Sequence, residues 1–294
     1  MKVKKPMIFL YLLPGILWYS FIILIPICLA FYYGLFNWSG GTKMIYQGFK
    51  NFADVLTDDV FFQSLKNNIY LTVVCLIGQI GIAFILAVLL NGRYVRFKGF
   101  HRTMTYFPAV LSAVVIGFIW NLIYDYHYGL LNTLLRMTGF GDRAQAWLNN
   151  DKLVLMLVAV PLVWQYVGYY LIIIMSALSS VDPQIFEVAE IDGASGFQRV
   201  IYITLPLVKN TLIVCVTLCI AGNMKIFDHI YAMTGGGPGT ASSVMAMYAY
   251  KTSFLSYKMG YGSAMSIVIL IVSFILVAGS QGILLRFTKN KEVE

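Results

Sequence analysis

The sequence predicts an all-α membrane protein with six transmembrane helices and both termini on the cytoplasmic side. Hydrophobic residues make up 59% of the 294 residues and charged residues only 12%, against roughly 45–50% and about 25% in a soluble domain. A water-soluble globule of this size could not bury so much apolar surface. The two further observations are a series of long apolar segments and an uneven distribution of Lys and Arg between the connections.

Six segments are rich enough in apolar residues to cross the bilayer, where a helix is required because lipid offers no partner to backbone N–H and C=O groups. They are residues 7–36, 69–90, 103–124, 153–178, 211–231 and 262–285. The first follows Lys2, Lys4 and Lys5, as the apolar stretch of a signal peptide does. The length of this stretch, together with Pro14 and Pro26, favours a retained span over a cleaved one.

The basic residues orient these spans. More than half of the 21 Lys and Arg residues fall in segments that share one side of the membrane if the six spans alternate in direction. These residues are Lys2, Lys4, Lys5, Arg93, Arg96, Lys98, Arg102, Arg199, Lys209, Arg286, Lys289 and Lys291. The positive-inside rule therefore places both termini in the cytoplasm. Because the clusters are short and separated by apolar runs, the net charge of +8 does not indicate a nucleic-acid partner.

Residues that could carry chemistry are sparse. The four cysteines lie in apolar runs without CxxC spacing, so neither a disulfide scaffold nor a metal site is expected. The three histidines are dispersed, and no catalytic arrangement of Ser, His and Asp is visible. A phosphate-binding loop needs GxxxxGK[ST], and the glycine cluster of residues 235–239 lacks the lysine. We expect a non-catalytic chain that binds no cofactor of its own.

The connection between the fourth and fifth spans, residues 179–207, is here named the elbow. Asp182 followed by Pro183 predicts a helix start, with a capping acid and proline at the first helical position. We expect this helix to run to about Ile191. Gly193 then allows a sharp bend, a second short helix follows, and Pro206 marks the start of the fifth span.

Small side chains and acids are concentrated at this bend. The small residues are Ala189, Gly193, Ala194, Ser195 and Gly196, and the acids are Glu187, Glu190 and Asp192. Small residues allow close docking into a groove, and an acid can pair with a basic residue on the groove wall. The pattern favours a docking element over the alternative, an ordinary solvated loop capped by acids.

The spacing in the elbow resembles a known signature. Glu187-Val188-Ala189, three residues, Gly193, nine residues, Ile203, one residue and then Leu205-Pro206 is similar to the EAA loop of the membrane subunits of bacterial binding-protein-dependent ABC importers. Val188 is the single departure. Residues 46–52 and 234–238 resemble the carbohydrate branch, of the maltose, glycerol-phosphate and multiple-sugar type, and residues 12–26 resemble the first permease of the pair in such systems.

The resemblance implies a type I ABC importer permease fold. Its parts would be an N-terminal span with the first extracytoplasmic loop (1–66), a transmembrane core (67–285) containing the elbow, and a cytoplasmic tail (286–294). The implied partners are a second homologous permease, two cytoplasmic ATPases that carry ATP and Mg, and a lipid-anchored extracytoplasmic solute-binding protein. The implied location is the bacterial cytoplasmic membrane, and the implied cargo is a sugar, with oligosaccharide favoured.

The resemblance also assigns the coupling residues. In this family the elbow docks on the ATPase, Glu187 would pair with a basic residue there, and Gly193 would make the bend. The residues carried over by motif position are Glu187, Ala189, Asp192, Gly193, Leu205 and Pro206.

Polar and aromatic residues inside the spans indicate a substrate pathway, because polar groups in lipid are costly. The candidates are Trp164, Gln165, Tyr166, Tyr169, Gly222 and Asn223. Aromatic faces with amide and hydroxyl groups suit sugars, whereas hydrogen bonds between helices remain the alternative. Tyr169 and Asn223 fall where maltose-type permeases place sugar contacts, while their neighbours Tyr166 and Gly222 depart from that pattern.

Two further matters stay open from the sequence. Lys225 and Asp228 are three positions apart, and this spacing favours an internal ion pair over ligand contacts. The same machinery with another cargo, such as glycerol phosphate, remains the nearest alternative function. A secondary transporter is the alternative from a different class, although the inverted repeats typical of such transporters are not visible.

Overall fold

The computed structural model describes residues 5–92 and 95–289. The basic residues Lys2, Lys4, Arg93 and Lys291, which contributed to the predicted orientation, therefore lie outside the described residues, as does the end of the predicted tail. The chain forms two compact units. The first contains the described residues up to Phe61 together with Tyr248–Val272, and the second contains Phe62–Met247 with the described residues from Ser273 onward.

The N-terminal third of the chain contains two candidate spans. Its elements are α1 (Lys5–Tyr19), α2 (Ile25–Gly34), β1 (Phe36–Trp38), β2 (Met44–Tyr46), α3 (Lys50–Val55), α4 (Asp59–Cys75) and α5 (Ile82–Asn91). A π-helical turn joins α1 to α2 just before Pro26, where the missing N–H interrupts the regular bonding. The strands form an antiparallel hairpin, with Phe36 opposite Tyr46, which adds a small sheet to the predicted all-α fold.

The second span begins earlier than predicted. A π-helical turn joins α4 to α5, so that one helix runs over Asp59–Asn91 instead of residues 69–90. Its start is fixed by Asp58, whose Oδ1 accepts hydrogen bonds from the backbone N–H groups of Val60 (2.8 Å) and Phe61 (3.1 Å). These are the N–H groups that the first turn of a helix leaves without partners.

Asp58 also joins distant segments of the first unit. Its Oδ2 accepts hydrogen bonds from the hydroxyls of Tyr248 and Tyr261, each at 2.7 Å. Burial raises the pKa of this carboxyl, but the two tyrosine hydroxyls and the backbone N–H groups outweigh burial, so the pKa lies below its usual value. Burial and the neighbouring carboxylate in turn raise the pKa of Tyr248 to about 12.

The middle of the chain contains one broken helix and one long helix. Its helices are α6 (Lys98–Val110), α7 (Ala113–Tyr124), α8 (Leu130–Met137) and α9 (Val154–Ser179). The predicted third span, residues 103–124, is bent by 97° between α6 and α7. At the bend the backbone is extended, and the Oγ of Ser112 caps α7 by accepting from the N–H of Val115. The fourth span agrees with the prediction to within one residue at each end.

The last part of the chain contains the elbow and two more span candidates. Its helices are α10 (Pro183–Ile191), α11 (Gly196–Arg199), α12 (Leu205–Leu207), α13 (Lys209–Met224), α14 (Asp228–Met233), α15 (Met245–Tyr250) and α16 (Met259–Lys289). The bend into the fifth span is 72° and falls at Val208, just after Pro206. That span ends at Met224 and not near residue 231, because the chain breaks at Lys225–Phe227 before α14 begins.

Four helices in the described ranges are long and apolar enough to cross a membrane. They are Tyr11–Gly34, Asp59–Asn91, Val154–Ser179 and Met259–Leu284. The count rises to six if each bent pair, α6 with α7 and the second half of the elbow with α13, forms one span. Each of the six predicted segments overlaps one of these helices or bent pairs, but the sequence did not predict either bend.

Candidate functional site: a polar cavity and an exposed elbow

A polar cavity of about 330 Å³ lies in the second unit, beside α9 and α13. Its lining residues are Gln79, Ala113, Leu162, Tyr166, Tyr169, Tyr170, Leu218, Cys219, Gly222, Asn223, Lys225, Ile226, Phe227, Asp228 and His229. Four of the six predicted pathway residues, Tyr166, Tyr169, Gly222 and Asn223, meet here. The two tyrosine rings remain more than one third exposed, so their faces and hydroxyls are accessible to a ligand.

The other two predicted pathway residues lie elsewhere. Trp164 lines a separate apolar groove of about 880 Å³, where its ring lies edge-on to that of Trp120 at 6.1 Å. Gln165 is buried behind the cavity wall. The sequence placed all six residues on one pathway because they are polar, aromatic or small residues within the fourth and fifth spans. On a helix, however, neighbours such as Trp164, Gln165 and Tyr166 point in different directions.

Gln165 supports the cavity wall from behind. Its Nε2 donates a hydrogen bond to the carbonyl oxygen of Leu111 at 3.0 Å, where α6 and α7 are bent apart. Its Oε1 lies 2.6 Å from the Nε2 of the buried residue His229, which donates because an amide oxygen only accepts. One side chain thus joins α9, the bend before α7 and the start of α14.

Lys225 and Asp228 contribute charge to the cavity. Both lie in the described part of the chain, and their charged groups form no ion pair within 4.0 Å, so the internal pair predicted from their spacing is not formed. Both side chains are exposed and line the cavity. The cavity therefore offers one ammonium and one carboxylate, together with aromatic rings and amides, to whatever enters it.

Sequence reasoning missed Gln79, a polar residue that shapes this cavity beside the predicted Asn223. Gln79 donates from Nε2 to the carbonyl oxygen of Leu162 at 3.0 Å and accepts from the Sγ of Cys219 at 3.4 Å. The Nδ2 of Asn223 donates to the carbonyl oxygen of Cys219 at 2.9 Å, which fixes the amide at the end of α13. A single polar residue in an apolar run, as Gln79 is, was the signal that could have identified it.

The elbow has the shape that its sequence predicts. The Oδ1 of Asp182 accepts from the N–H of Gln184 at 2.9 Å, and α10 ends at Ile191 as expected. Gly193 bends the chain with a φ of +76°, a left-handed conformation that glycine adopts without steric cost. Ser195 and Gln198 then form a reciprocal capping box that begins α11.

The surface of the elbow combines acids with exposed apolar side chains. Of the predicted coupling residues, Ala189 is buried, whereas Glu187, Asp192, Gly193, Leu205 and Pro206 are exposed. Ile191 is 84% exposed and Phe197 is 75% exposed, on either side of the bend. Glu190 forms an ion pair with Arg199 across the bend, with 3.6 Å between Oε2 and Nη1. Exposed apolar groups beside free acids are typical of a surface that binds a partner.

Comparison with known proteins decides the family. Residues 79–290, more than two thirds of the chain, match the family described as binding-protein-dependent transport system inner membrane component. The chain belongs to this family. It is therefore a multi-pass membrane protein and a permease component of an ABC transporter, a class of transport subunits and not a known class of enzymes.

Individual relatives of this permease agree with the family. YurN of Bacillus subtilis (strain 168), a probable ABC transporter permease protein, is 34% identical over 91% of this chain and 92% of its own length. NgcF of Streptomyces coelicolor, the permease protein of a diacetylchitobiose uptake system, is 30% identical over 87% and 76% of the two chains.

A solved structure shows the same fold. A chain in the crystal structure of the bacterial alginate ABC transporter, in complex with alginate pentasaccharide-bound periplasmic protein, matches this permease with a TM-score of 0.81. The match covers 96% of this chain and 95% of that chain at 22% sequence identity. The permease fold expected from the elbow motif is therefore confirmed.

Proposed function

We propose that this permease is the transmembrane subunit of an ATP-driven, binding-protein-dependent sugar importer, with an oligosaccharide as the favoured cargo. The cavity carries the proposal, because Tyr166 and Tyr169 offer aromatic faces beside the hydrogen-bonding groups of Asn223, Lys225 and Asp228. Sugars present apolar C–H patches edged by hydroxyls, and a cavity of this composition matches both features. The cavity would be this subunit's part of the translocation pathway.

The transport systems to which its relatives belong support carbohydrate as the cargo class. NgcF belongs to a diacetylchitobiose uptake system, and the solved transporter binds a periplasmic protein that carries an alginate pentasaccharide. AraP of Bacillus subtilis, 28% identical over 93% of this chain, belongs to an arabinooligosaccharide transport system. These cargoes are all saccharides of two or more units, which favours an oligosaccharide over a small polyol phosphate.

The assembly that follows has the composition expected from the family. A second homologous permease would complete the pathway, two cytoplasmic ATPases would bind ATP and Mg, and a lipid-anchored binding protein would deliver the sugar. The two bent pairs would each form one span. The chain would then cross the cytoplasmic membrane six times, with both termini on the cytoplasmic side. The division into residues 1–66, 67–285 and 286–294 belongs to the same proposal.

In this assembly the elbow would dock on the ATPase. Glu187 would pair with a basic residue of the ATPase, and Ile191 and Phe197 would enter its cleft. All three side chains are exposed, and burial of the two apolar ones, Ile191 and Phe197, would be favourable, which supports this role. Closure of the ATPases on ATP would then move the elbow and the helices connected to it.

The cargo is tested by uptake into vesicles that contain the complex purified through a tag on this chain. We expect the vesicles to take up at least one member of a panel of oligosaccharides and to take up no polyol phosphate. Tyr169→Ala should lower uptake by about ten-fold or more, because it removes an aromatic face from the cavity. Tyr128→Ala is the matched control, since that ring is 92% exposed and lies outside the cavity. Uptake of polyol phosphates alone would contradict the proposal.

The coupling role is tested in the same vesicles. Glu187→Ala should leave folding largely intact. Both Glu187→Ala and Gly193→Leu should weaken ATP hydrolysis stimulated by the binding protein, the first by losing a charge pair and the second by blocking close docking. Asp151→Ala, at an exposed acid outside the elbow, is the matched control. Unchanged uptake and unchanged stimulated hydrolysis in both elbow variants would contradict the coupling role.

A further inference from the structure

Two adjacent asparagines on α4 connect distant parts of the second unit. Asn67 holds the loop that precedes α15, because its Nδ2 lies 3.1 Å from the carbonyl oxygen of Ala241 and 2.7 Å from that of Ser243. The hydroxyl of Ser64 lies 3.4 Å from that of Ser243 and adds to this contact. Asn67 thus fixes one side of the loop, residues 234–245, against α4.

Asn68 makes a different kind of connection. Its Oδ1 accepts a hydrogen bond from the N–H of Met245 at 2.8 Å, at the end of the loop. Its Nδ2 donates to the carbonyl oxygen of Asn223 at 2.8 Å, in the last turn of α13. The side chain is fully buried. The amide of Asn68 therefore joins the loop to Asn223, whose side chain lines the cavity.

Hydrogen bonds within the loop hold its residues together, so the loop is suited to move as a rigid unit. The hydroxyls of Thr234 and Ser242 lie 2.7 Å apart, and the Oγ of Ser242 donates to the carbonyl oxygen of Gly237 at 2.6 Å. At its tip, Gly239 and Thr240 are exposed. A force applied at the tip would reach Met245 with little loss, because these bonds leave the loop few ways to deform internally.

We propose that Asn68 is a positioning residue that ties loop 234–245 to the cavity wall at Asn223. A protein that docks on the loop tip would act on the cavity through this amide. The inference rests on the proposed function, because six spans with both termini on the cytoplasmic side place this loop, between the fifth and sixth spans, on the side where the binding protein delivers the sugar. A buried amide whose donor and acceptor both have partners is costly to separate from either, so a shift of the loop and a shift of the end of α13 are energetically linked.

The two asparagines give a test with opposite expectations. ATP hydrolysis by the reconstituted complex is measured against the concentration of binding protein loaded with the sugar that supports uptake. Asn67→Ala loosens the loop and should raise the concentration for half-maximal stimulation about ten-fold, with the maximum unchanged. Asn68→Ala should lower the maximum about ten-fold and leave the half-maximal concentration within about two-fold, because the loop still docks but no longer acts on Asn223.

Asn132→Ala is the control for a purely structural loss. That amide is also fully buried, and its Nδ2 holds carbonyl oxygens of Tyr126 and Gln145 in another loop, away from the cavity. It should lower thermal stability without changing stimulation. A wild-type maximum in Asn68→Ala, or an equal loss of maximum in Asn132→Ala, would overturn the inference.

A second variant protects the test against failure of Asn68→Ala to assemble. Asn68→Leu nearly keeps the volume, so it leaves no cavity, but it removes both the donor to Asn223 and the acceptor for Met245, and its maximum should fall in the same way. A wild-type maximum in Asn68→Leu would overturn the inference. A wild-type complex that does not respond to binding protein would overturn the proposed function, whereas a responsive complex without an Asn68 effect overturns only the positioning role.

Discussion

In the elbow, polar groups are paired within a few residues of one another, whereas around the cavity they are paired across much of the chain. Ser195 and Gln198 cap each other three positions apart. By contrast, Gln165 and His229 are 64 positions apart, and Gln79 is paired with a cysteine 140 positions away. The elbow can therefore form its shape as a local unit, while the cavity exists only once several helices have packed.

This difference suits the elbow and the cavity to different roles. A local unit with exposed apolar groups can dock and move while keeping its shape, which suits the proposed coupling role. A cavity built from long-range buried bonds is rigid and specific, but it depends on packing elsewhere in the unit. Substitutions around the cavity should therefore cost far more stability than substitutions in the elbow, where the effect should appear in coupling.

The largest effect is expected at Gly168, where α9 touches α6. A Cβ added there would overlap the carbonyl oxygen of Thr105 and the Cα of Tyr106, and backbone atoms cannot rotate away. Gly168→Ala should therefore cost about 3 kcal/mol or more. Thermal unfolding of the purified protein in detergent measures this loss. Gly81→Ala, where nothing lies within 4 Å of the added Cβ, should be neutral or stabilising, and equal losses in both variants would contradict the packing argument.

A smaller but still large effect is expected at Gln165. Gln165→Leu leaves His229 and the carbonyl of Leu111 without this buried partner, and we expect a loss of about 2–3 kcal/mol. The matched variant in the elbow is Gln198→Leu, which removes one half of an exposed capping box and should cost about 1 kcal/mol. Thermal unfolding of the two variants side by side measures the difference. The comparison between the regions fails if Gln198→Leu costs as much as Gln165→Leu.

The same contrast explains what the sequence could predict. The elbow's cap at Asp182 and its bend at Gly193 were predicted because each depends on residues within a few positions. The 97° bend between α6 and α7 was not predicted, because it is stabilised by Gln165, 54 positions from Leu111. Likewise, the spacing of Lys225 and Asp228 suggested a pair, but the chain breaks there and helical spacing no longer applies. Features that depend on nearby residues can be predicted from a single sequence, whereas features that depend on contacts between distant residues cannot.

In the first unit, Asp58 is a charged group with long-range hydrogen bonds, so its contribution to stability should depend on pH. Its pKa lies below the usual value because four hydrogen bonds, two of them from Tyr248 and Tyr261, outweigh its burial. A lowered pKa means that the carboxylate stabilises the fold above the unfolded value of about 4 and loses this contribution as the pH falls through the folded value. Asp58→Asn should cost about 1 kcal/mol at pH 7, a hydrogen-bond value reduced for solvent exposure.

The measurement for Asp58 is thermal unfolding between pH 3 and pH 8. The difference between wild type and Asp58→Asn should be constant at neutral pH and should shrink below about pH 4. Asp151→Asn, at an exposed acid outside this hydrogen-bond cluster, is the control. A difference that grows as the pH falls would contradict the assignment.

At Gly193 the cost should come from backbone conformation alone. Nothing lies within 4 Å of an added Cβ, but the φ of +76° is unfavourable for any side chain. Gly193→Ala should therefore cost about 1 kcal/mol, far less than Gly168→Ala. Gly193→Asn should cost less than Gly193→Ala, because asparagine tolerates the left-handed region. Thermal unfolding of the two variants decides, and an alanine that is better tolerated than asparagine would rule out backbone strain as the cause.

The smallest effect is expected from the ion pair across the bend. Glu190 and Arg199 are 3.6 Å apart, and their side chains are 60% and 33% exposed, so water and salt screen the attraction. Glu190→Gln should change the free energy of unfolding by less than about 0.5 kcal/mol. Because the capping box and Gly193 already define the bend, stimulated ATP hydrolysis should also stay near wild type, unlike that of Glu187→Ala. A loss of hydrolysis in Glu190→Gln that matches Glu187→Ala would show that the pair, and not the exposed acid alone, holds the docking surface in shape.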